Sequence, residues 1–442
     1  METVLQRIRD AEVEFIRFEV TDMFGNSRMK VINANNFKSK AKTGIEFNSC
    51  YLGEDSMFKH KHSSISLDSE YNDLVLIPDL DTFEILPWWD NTARILVEPV
   101  LDGMEYTAAP RFIARKQLEE LGEMGYSLYS AHEYEFYAFK KDTMEPIVGD
   151  INCRSTLRFY KSAEFLHQLG RDLPKVGVDI ECLETEHGPG QIEITYKPSF
   201  GIKAADNAFT FKNAVKEIAK QHSLIASFMS KPYPNSSGSS CHFNHSLWDA
   251  DGKVQLTHDS ESPDKLSDIA KHWLAGLLHH APAMSLIMGP TINCRKRFVP
   301  RKTVPLFATW GFDNRTAAMR VKTNNGFYVE NRLGCSGTNP YLALAATVAA
   351  GMDGIKQKLP LSPSVTGCAY TLTDIPENSL ILPTTLQEAI NAFLEDKVIR
   401  SAFGEDFVKA FMSIKNSEIM DAKEAEDTGN LTWEWDTYLE YV

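Results

Sequence analysis

Two short segments of the chain set acidic side chains two residues apart in an apolar, β-prone context. They carry Glu133 and Glu135 within residues 130–136, and Glu184 and Glu186 within residues 184–193. Successive side chains of a strand point to opposite faces of a sheet, so the two members of each pair share one face if both segments are strands. A face with several carboxylates cannot pack as an ordinary core.

A tight turn in the second segment predicts that a further carboxylate lies near this acidic face. Gly-Pro-Gly-Gln at residues 188–191 lies between Glu186 and Glu193 and predicts that the chain doubles back, so that both carboxylates converge. Because buried, unpaired like charges cost several kcal/mol, the convergence indicates a polynuclear site for Mg²⁺ or Mn²⁺, which prefer oxygen ligands. An edge strand with one solvated face and an ordinary hairpin are the alternatives.

Composition excludes some classes of protein. The 442 residues have a formal net charge of −14, which argues against nonspecific nucleic-acid binding, since a phosphate-binding surface needs a basic excess. We expect neither a signal peptide, because the first ten residues are charged throughout, nor a membrane span, because the longest nearly apolar stretch, residues 341–352, is too short. The seven scattered cysteines lack a CxxC pair, which indicates reduced thiols and a cytoplasmic protein without structural zinc.

The order of predicted elements indicates an α+β protein with a small β-rich N-terminal domain and a large C-terminal domain. Residues 15–20 and 27–32 read as a hairpin, and residues 74–77, 83–86 and 93–98 as further strands. Helical spacing of apolar residues predicts helices at the following ranges: 110–125, 204–228, 265–288, 385–395 and 401–415.

A glycine- and serine-rich loop precedes a short segment with two imidazoles. Gly238 and the following serines allow the backbone to approach a small substrate closely. His242 is a candidate metal ligand because it accompanies a carboxylate cluster, although a lone histidine is more often a structural hydrogen-bonding group.

Arginines concentrate in residues 295–332. Apolar residues alternate with several of them, which places these on strands, and the planar guanidinium suits carboxylate and phosphate oxygens. Salt bridges within the fold are the alternative. The residues are Arg295, Lys296, Arg297, Arg315, Arg320 and Arg332.

These motifs, in their order, resemble those of class I glutamine synthetases over nearly the whole chain. The matching motifs are Phe-Met-x-Lys-Pro at residues 228–232, Gly-Ser-x-x-His at 238–242, Lys-Arg-x-x-Pro at 296–300, Asn-Arg-x-Ala at 314–317, Glu-x-Arg at 330–332, and Asn-Pro-Tyr-Leu at 339–342 with Ala-Ala-Gly-Met-Asp-Gly at 349–354. The segments Arg-Phe-Glu-Val-Thr-Asp at 17–22, Asp-Asn-Ala-Phe-Thr at 206–210 and His-Ser-Leu-Trp-Asp at 245–249 are most similar to the lengsin branch of the family.

The resemblance implies a fold and a reaction. The fold would be an N-terminal β-grasp domain, residues 1–105, and a glutamine synthetase-type catalytic domain, residues 106–442, built on an antiparallel sheet with flanking helices. Family members use ATP to phosphorylate the γ-carboxylate of glutamate, and ammonia then displaces the phosphate. Two or three Mg²⁺ or Mn²⁺ ions per active site and a homo-oligomer, a dodecamer of two stacked hexamers with active sites at subunit boundaries, are implied with them.

Roles for individual residues follow from the same resemblance. One metal ion would be held by Glu135, Glu186 and Glu193, and a second by Glu133, His242 and Glu330. Arg315 and Arg320 would contact the phosphates, Arg297 the α-carboxylate of glutamate and Arg332 its γ-carboxyl end. The remaining residues implied are Gly238 and His242 for the substrate, and Asn244, Ser246 and Trp248 for the nucleotide.

Two departures from the family pattern concern the amine. Asn48 replaces the aspartate that helps to bind and deprotonate ammonium, and Thr303 replaces the glutamate of the flap. Loss of one charged partner of a desolvated pair costs about 2 to 5 kcal/mol, so an ammonium site would be strongly weakened.

The sequence therefore predicts a carbon–nitrogen ligase that couples a glutamate-like acid to an amine other than ammonia. The first alternative is a catalytically silent, lengsin-type structural or chaperone-like protein with a cytoskeletal partner. A true glutamine synthetase is the second. Small-molecule substrates are expected for both enzymes, and neither nucleic acid nor membrane is an expected partner.

Overall fold

The computed structural model describes residues 1–53, 73–149, 152–299, 304–323, 327–370, 375–376 and 379–442. Within these residues the chain forms two sheets flanked by helices, which confirms the α+β class. The last strand of the first sheet ends at Glu105, and the next helix begins at Pro110.

The N-terminal sheet is formed, among the described residues, by seven strands. Its order is β2-β1-β6-β4-β3, with β5 and β7 also paired to β6; β1 and β6 run parallel, and the other pairs are antiparallel. The strands are β1 (Phe15–Thr21), β2 (Ser27–Asn33), β3 (Ile45–Asn48), β4 (Asp73–Pro78), β5 (Glu84–Ile85), β6 (Thr92–Leu101) and β7 (Met104–Glu105). The predicted hairpin and the further strands are confirmed.

Buried and more exposed residues alternate along β3 and β4, so that one face of these strands packs against the core. On β4, Leu74 and Leu76 are fully buried and contribute to an apolar cluster with Phe18, Phe37 and Phe83. In the described part of this region, three helices accompany the sheet: α1 (Glu2–Asp10), α2 (Phe37–Thr43) and α3 (Cys50–Gly53).

The second sheet contains nine strands in the part of the chain that the structure describes. Its order is β14-β15-β16-β13-β8-β10-β9, and β11 and β12 also pair with β8. All pairs are antiparallel except β14 with β15. The strands are β8 (Tyr126–Lys140), β9 (Ile180–Thr185), β10 (Gln191–Tyr196), β11 (Ser199–Phe200), β12 (Leu224–Ser227), β13 (Cys241–Asp249), β14 (Trp310–Phe312), β15 (Met319–Lys322) and β16 (Tyr328–Asn331).

Helices cover one face of the second sheet. The helices described in this part of the chain are α4 (Pro110–Glu123), α5 (Thr156–Asp172), α6 (Ile202–Gln221), α7 (Asp268–His279), α8 (Ala281–Met288), α9 (Ile292–Arg295), α10 (Pro340–Gln357), α11 (Leu386–Glu395), α12 (Lys397–Phe403), α13 (Glu405–Thr428) and α14 (Trp433–Tyr438). Of these, α4, α5, α6 and α7 contact strands of the sheet. Tyr134 and Phe136 of β8 are fully buried on this covered face, and the Tyr134 ring stacks on Phe211 of α6 with centroids 5.3 Å apart. The other face of β8 is left for polar groups.

Three predicted helices differ from the observed ones. The helix expected over residues 204–228 ends at Gln221, because the chain turns at Ser223, which has a positive φ, and residues 224–227 pair with β8 as a strand. The helix expected over 265–288 is two helices that meet at His280, with Pro282 in the first turn of α8. The helix expected over 401–415 is interrupted at Gly404, whose φ of 79° is unsuited to a helix.

A partly buried ion pair joins the N-terminal sheet to helix α6. Both Nη atoms of Arg17 on β1 donate to the carboxylate of Glu217 on α6, at 3.0 and 2.6 Å, and the indole N–H groups of Trp88 and Trp89 donate to the same carboxylate. Glu19 lies 2.6 Å from Arg17 on its other side. Separately, none of the described helices has the length and apolar character needed to cross a membrane.

Candidate active site

The register of the second sheet gathers acids on the face opposite the helices. Glu135 on β8 is directly opposite Glu193 on β10, and Glu193 is directly opposite Glu184 on β9. Cross-strand partners point to the same face, so three neighbouring strands contribute one carboxylate each to a single row. The predicted turn at residues 188–191 makes this possible, because it reverses the chain between β9 and β10.

The same face continues across β13, β16 and β15. His242 on β13 is opposite Glu133 on β8, and Asn244 on β13 is opposite Glu330 on β16. Glu330 is in turn opposite Arg320 on β15. The carboxylates, one imidazole and one guanidinium thus form a continuous band across the sheet.

The tightest acidic cluster consists of Glu184, Glu186 and Glu193. One carboxylate oxygen from each lies within 4.8 Å of the other two. Burial and the neighbouring carboxylates, Glu133 first among them, raise the pKa of Glu193 to about 11. Arg154 lies beside the cluster, with its Nε 2.8 Å from Glu184 and an Nη 3.5 Å from Glu186. A site of this kind favours a cation, because it cannot ionise fully without one.

Glu135 is held by neutral donors. Its carboxylate accepts hydrogen bonds from the hydroxyl of Ser240 at 2.6 Å, from the backbone N–H of Ser240 at 3.0 Å and from the Gln191 amide at 2.9 Å. Gln191 also accepts the N–H of Gly188 at 2.8 Å, so a single side chain ties the turn to the carboxylate. These contacts fix the orientation of Glu135.

His242 lies between two carboxylates. Its Nδ1 is 3.4 Å from a carboxylate oxygen of Glu133 and 3.4 Å from one of Glu330. Burial opposes ionisation of Glu133, but hydrogen bonding and the charge of His242 outweigh it and lower the pKa of Glu133 to about 2. The amide of Asn244 donates to the second oxygen of Glu133 at 3.3 Å.

The predicted arginines lie in three environments. Arg320 and Arg332 are buried and both donate to Glu330, Arg320 at 2.9 Å. Arg297 is buried against the carbonyl of Gly334, at 2.9 Å, and its stem packs where a Cβ on Gly238 would stand, 2.6 Å from Cγ. Glycine at position 238 is therefore required by this close approach. Arg315 is exposed in the turn between β14 and β15.

A cavity of about 550 Å³ opens beside Glu133. The three residues implied for nucleotide contact, Asn244, Ser246 and Trp248, all line it. Sequence reasoning missed several other lining residues, which come from β9, β15 and β16 and from the segments after β10, after β13 and before β16: Tyr328, Phe327, Lys322, Gln255, Pro198 and Glu181. Aromatic faces beside polar groups are suited to a planar base.

One described residue of the predicted set lies elsewhere. Asn48 ends β3 in the N-terminal sheet, where its side-chain oxygen accepts the N–H of Cys50 at 2.9 Å. Thr303 lies outside the described residues. The ligand sets implied by the family resemblance leave out Glu184, which clusters with Glu186 and Glu193, whereas Glu135 faces Glu193 across the strand pair.

Comparison with known proteins identifies the family. The family model for the catalytic domain of glutamine synthetase matches residues 107–438. The chain belongs to the glutamine synthetase family. Human lengsin is 36% identical over 431 residues, which cover 95% of this chain and 82% of lengsin. A glutamate–isopropylamine ligase of a Pseudomonas species is 34% identical over 452 residues, with 98% and 97% of the two chains covered. Both the glutamine synthetase resemblance and its lengsin-like branch are thereby confirmed.

Solved structures agree with this assignment. The structure titled "GmaS/ADP complex-Conformation 1" superimposes with a TM-score of 0.86 at 25% identity, covering 96% of this chain and 97% of that one. A structure titled a novel glutamine synthase homolog, at 24% identity and a TM-score of 0.80, shows the same fold.

Membership of the glutamine synthetase family implies ATP and divalent metal ions in general, and the residues fit such ions. The acidic cluster of Glu184, Glu186 and Glu193 offers oxygen ligands at close range, and Glu133, His242 and Glu330 converge beside it. Hard oxygen donors with a single imidazole suit Mg²⁺ or Mn²⁺.

Proposed function

We propose that this protein is an ATP-dependent carbon–nitrogen ligase that activates the γ-carboxylate of glutamate, or of a similar acid, and couples it to an amine other than ammonia. The observation that carries the proposal is the convergence of Glu133, His242 and Glu330 beside Arg320 and Arg332 on one sheet face. Cations and guanidinium groups on one face would neutralise the negative charge of the phosphate groups during phosphoryl transfer.

Two sets of residues would hold the metal ions. Glu133, His242 and Glu330 form one set, and Glu135, Glu186 and Glu193, with Glu184 next to them, form the other. When bound, the ions would supply Lewis acidity towards the transferred phosphoryl group. The neutral donors on Glu135 hold its carboxylate in one orientation, which reduces the reorganisation needed for binding.

The cavity beside Glu133 is our proposed nucleotide site. Asn244, Ser246 and Trp248 line it, and Trp248 donates its indole N–H to the Ser246 hydroxyl at 3.0 Å, which orients the ring. The similar structure whose title names an ADP complex supports a nucleotide in this fold. From this cavity the band of charged groups leads towards Arg320.

The arginines would act on the transferred group and on the acid. Arg320 is directly opposite Glu330, and Arg332 follows it on the same face, so both guanidinium groups border the proposed metal set. Arg315, exposed in the adjacent turn, would meet the phosphates from the solvent side. Arg297, against Gly238, would bind the α-carboxylate. Fixed guanidinium donors stabilise charge that develops during phosphoryl transfer.

The proposal that the amine is not ammonia is based on Asn48, at the end of β3 in the N-terminal sheet. Asn48 is neutral where the family pattern has an acid, so an ammonium ion gains no charge partner there. A larger amine depends more on apolar contact and space than on an anion. The 34% identical relative named a glutamate–isopropylamine ligase supports an alkylamine as the amine. We further propose a dodecamer of two stacked hexamers, which light scattering would test.

The test is ADP release by the purified protein with Mg²⁺, ATP, glutamate and a panel of amines, with the amide product identified by mass spectrometry. We expect turnover with a primary alkylamine and little with ammonia. The variant Glu330→Gln, which removes a proposed ligand, controls for contaminating ATPase. Turnover with ammonia at least equal to that with every alkylamine would identify a glutamine synthetase. Bound nucleotide without turnover on any amine would identify the silent, lengsin-type alternative.

A further inference from the structure

A second set of metal-ligating groups lies at the edge of the acidic cluster. Cys153, Glu186 and His187 each place one ligand atom, a thiol sulfur, a carboxylate oxygen and an imidazole nitrogen, within 4.8 Å of the other two. Nδ1 of His187 is 2.7 Å from Glu186. The donor set differs from that of the acidic cluster, because it contains sulfur and nitrogen as well as oxygen.

The backbone that carries these three groups is fixed before any ion binds. The N–H of Arg154 donates to the carbonyl of Thr185 at 3.0 Å, and the thiol of Cys153 lies 3.5 Å from the same carbonyl. On the other side, the buried guanidinium of Arg158 donates to the carbonyls of Glu186 and Gly188. Ligands on a fixed backbone need only small side-chain rotations to coordinate an ion.

The group is also accessible from solvent. The side chain of His187 is 70% exposed and that of Glu186 is 11% exposed. An ion can therefore enter from outside, and a water molecule can complete its coordination.

We propose that Cys153, Glu186 and His187 bind one Zn²⁺ ion, with water as the fourth ligand. Zinc takes thiolate, imidazole and carboxylate ligands in tetrahedral sites, whereas Mg²⁺ accepts oxygen ligands and competes poorly for sulfur and nitrogen. On binding, the thiol of Cys153 loses its proton to solvent and the sulfur forms the bond to zinc. The site needs no CxxC pair, since its ligands come from two different stretches of the chain.

Arg154 does not prevent this binding. It contacts Glu184 through two nitrogens, at 2.8 and 2.9 Å, but its contact with Glu186 is longer, at 3.5 Å. Glu186 can therefore turn to zinc while Arg154 keeps its pair with Glu184. The two ions would not share Glu186 easily, because it is also a member of the acidic cluster.

Zinc consequently inhibits the enzyme, because it competes with the metal ion of the acidic cluster for Glu186. This inhibition rests on the proposed ligase function, whereas zinc binding itself does not. We expect micromolar zinc to inhibit amine-dependent ADP release in the presence of excess Mg²⁺, and Cys153→Ser to remove the sensitivity while it leaves the turnover without zinc unchanged. Inhibition of equal strength in Cys153→Ser would overturn the assigned role in inhibition.

Binding is tested without any activity measurement. The full-length, metal-free protein is titrated with Co²⁺, which reports thiolate coordination by a sulfur-to-cobalt charge-transfer band in the near ultraviolet, and Zn²⁺ is then added to displace the Co²⁺. We expect the band in the wild type and in Cys182→Ser, whose thiol is on β9 two residues before Glu184, but not in Cys153→Ser. Loss of a residue that only hydrogen-bonds a metal ligand lowers metal affinity about 10- to 100-fold. His187→Gln removes a ligand itself and keeps the thiol, so it should weaken zinc binding by at least about tenfold.

No charge-transfer band in the wild type, or loss of the band in Cys182→Ser with its retention in Cys153→Ser, would overturn the proposed site. Circular dichroism of each variant confirms that it is folded, and His187→Gln provides a second, independent variant. Because these readouts need no turnover, failure of the ligase proposal would leave them unaffected.

Discussion

Glu133 and His242 face each other directly on β8 and β13, with Nδ1 of the imidazole 3.4 Å from the carboxylate of Glu133. The same nitrogen is 3.4 Å from Glu330, which lies on β16 at the other side of β13. One imidazole on a central strand is therefore placed between acids from both neighbouring strands. Hydrogen-bonded strands hold these positions more rigidly than loops would, which suits a site that must place ions and phosphates accurately.

Gln191 is expected to control metal affinity without touching an ion. Its amide donates to Glu135 and accepts from Gly188, so Gln191→Leu, similar in size and without the amide, would free that carboxylate. We expect Mn²⁺ affinity, measured by calorimetry, to fall about 10- to 100-fold. The matched control is Gln168→Leu, whose amide bonds Gln221 away from the acidic cluster. Equal affinities in wild type and Gln191→Leu would contradict the positioning role.

Metal binding is expected to release a proton from Glu193. Burial and the neighbouring carboxylates raise its pKa to about 11, so without metal the group holds its proton at pH 8. A divalent cation favours the ionised form and displaces about one proton per site, and apparent affinity should therefore increase with pH. The measurement is proton release into weakly buffered solution during Mn²⁺ titration. Glu193→Gln should release fewer protons and show a flatter pH dependence; identical release would refute the assignment to Glu193.

Sequence reasoning could predict the acidic face because the necessary information is local. The two-residue spacing of Glu133 and Glu135 and the turn between Glu186 and Glu193 need only the period of a strand and the geometry of a glycine turn. The hairpin formed by β1 and β2 was predictable for the same reason. Each of these features depends on residues a few positions apart.

The features that could not be predicted from the sequence depend on pairing between segments that are distant along the chain. Glu184 lies opposite Glu193 because of the register between β9 and β10. The two-residue period of a strand predicts which side chains share a face, but it does not determine which carboxylates come closest. Residues 224–227 continue a helical pattern of apolar side chains but form a strand, because β8 offers an edge to which they can bond. The contacts of Ser240 and Gln191 with Glu135 could not be predicted from the sequence, since serine and glutamine in a loop or turn have many roles.

The Arg17–Glu217 pair is expected to stabilise the contact between the N-terminal sheet and helix α6. The side chains of Arg17 and Glu217 are 7% and 25% exposed, and removal of Glu217 leaves Arg17 with Glu19 alone. It also removes the acceptor of the indole N–H groups of Trp88 and Trp89. We expect Glu217→Ala to lower the free energy of the first unfolding transition by about 2 kcal/mol in urea denaturation, because buried donors lose their acceptor. As a control, Asp179→Ala removes the exposed pair with Lys197 and should cause no measurable change. A loss for Glu217→Ala no larger than the control's would show that the pair is dispensable.

An acid at position 48 is expected to increase turnover with ammonia. The side-chain oxygen of Asn48 accepts the N–H of Cys50 at 2.9 Å, and an aspartate oxygen can accept the same bond, so Asn48→Asp changes the charge while the local turn is kept. We expect Asn48→Asp combined with Thr303→Glu to raise ammonia-dependent ADP release more than about tenfold, because a desolvated ammonium regains charged partners worth about 2 to 5 kcal/mol each. Asn48→Ser, polar but neutral, is the control and should give no gain. If the double variant and the serine variant have equal turnover with ammonia, then position 48 does not contact the attacking amine, and the neutrality of Asn48 is not what selects against ammonia.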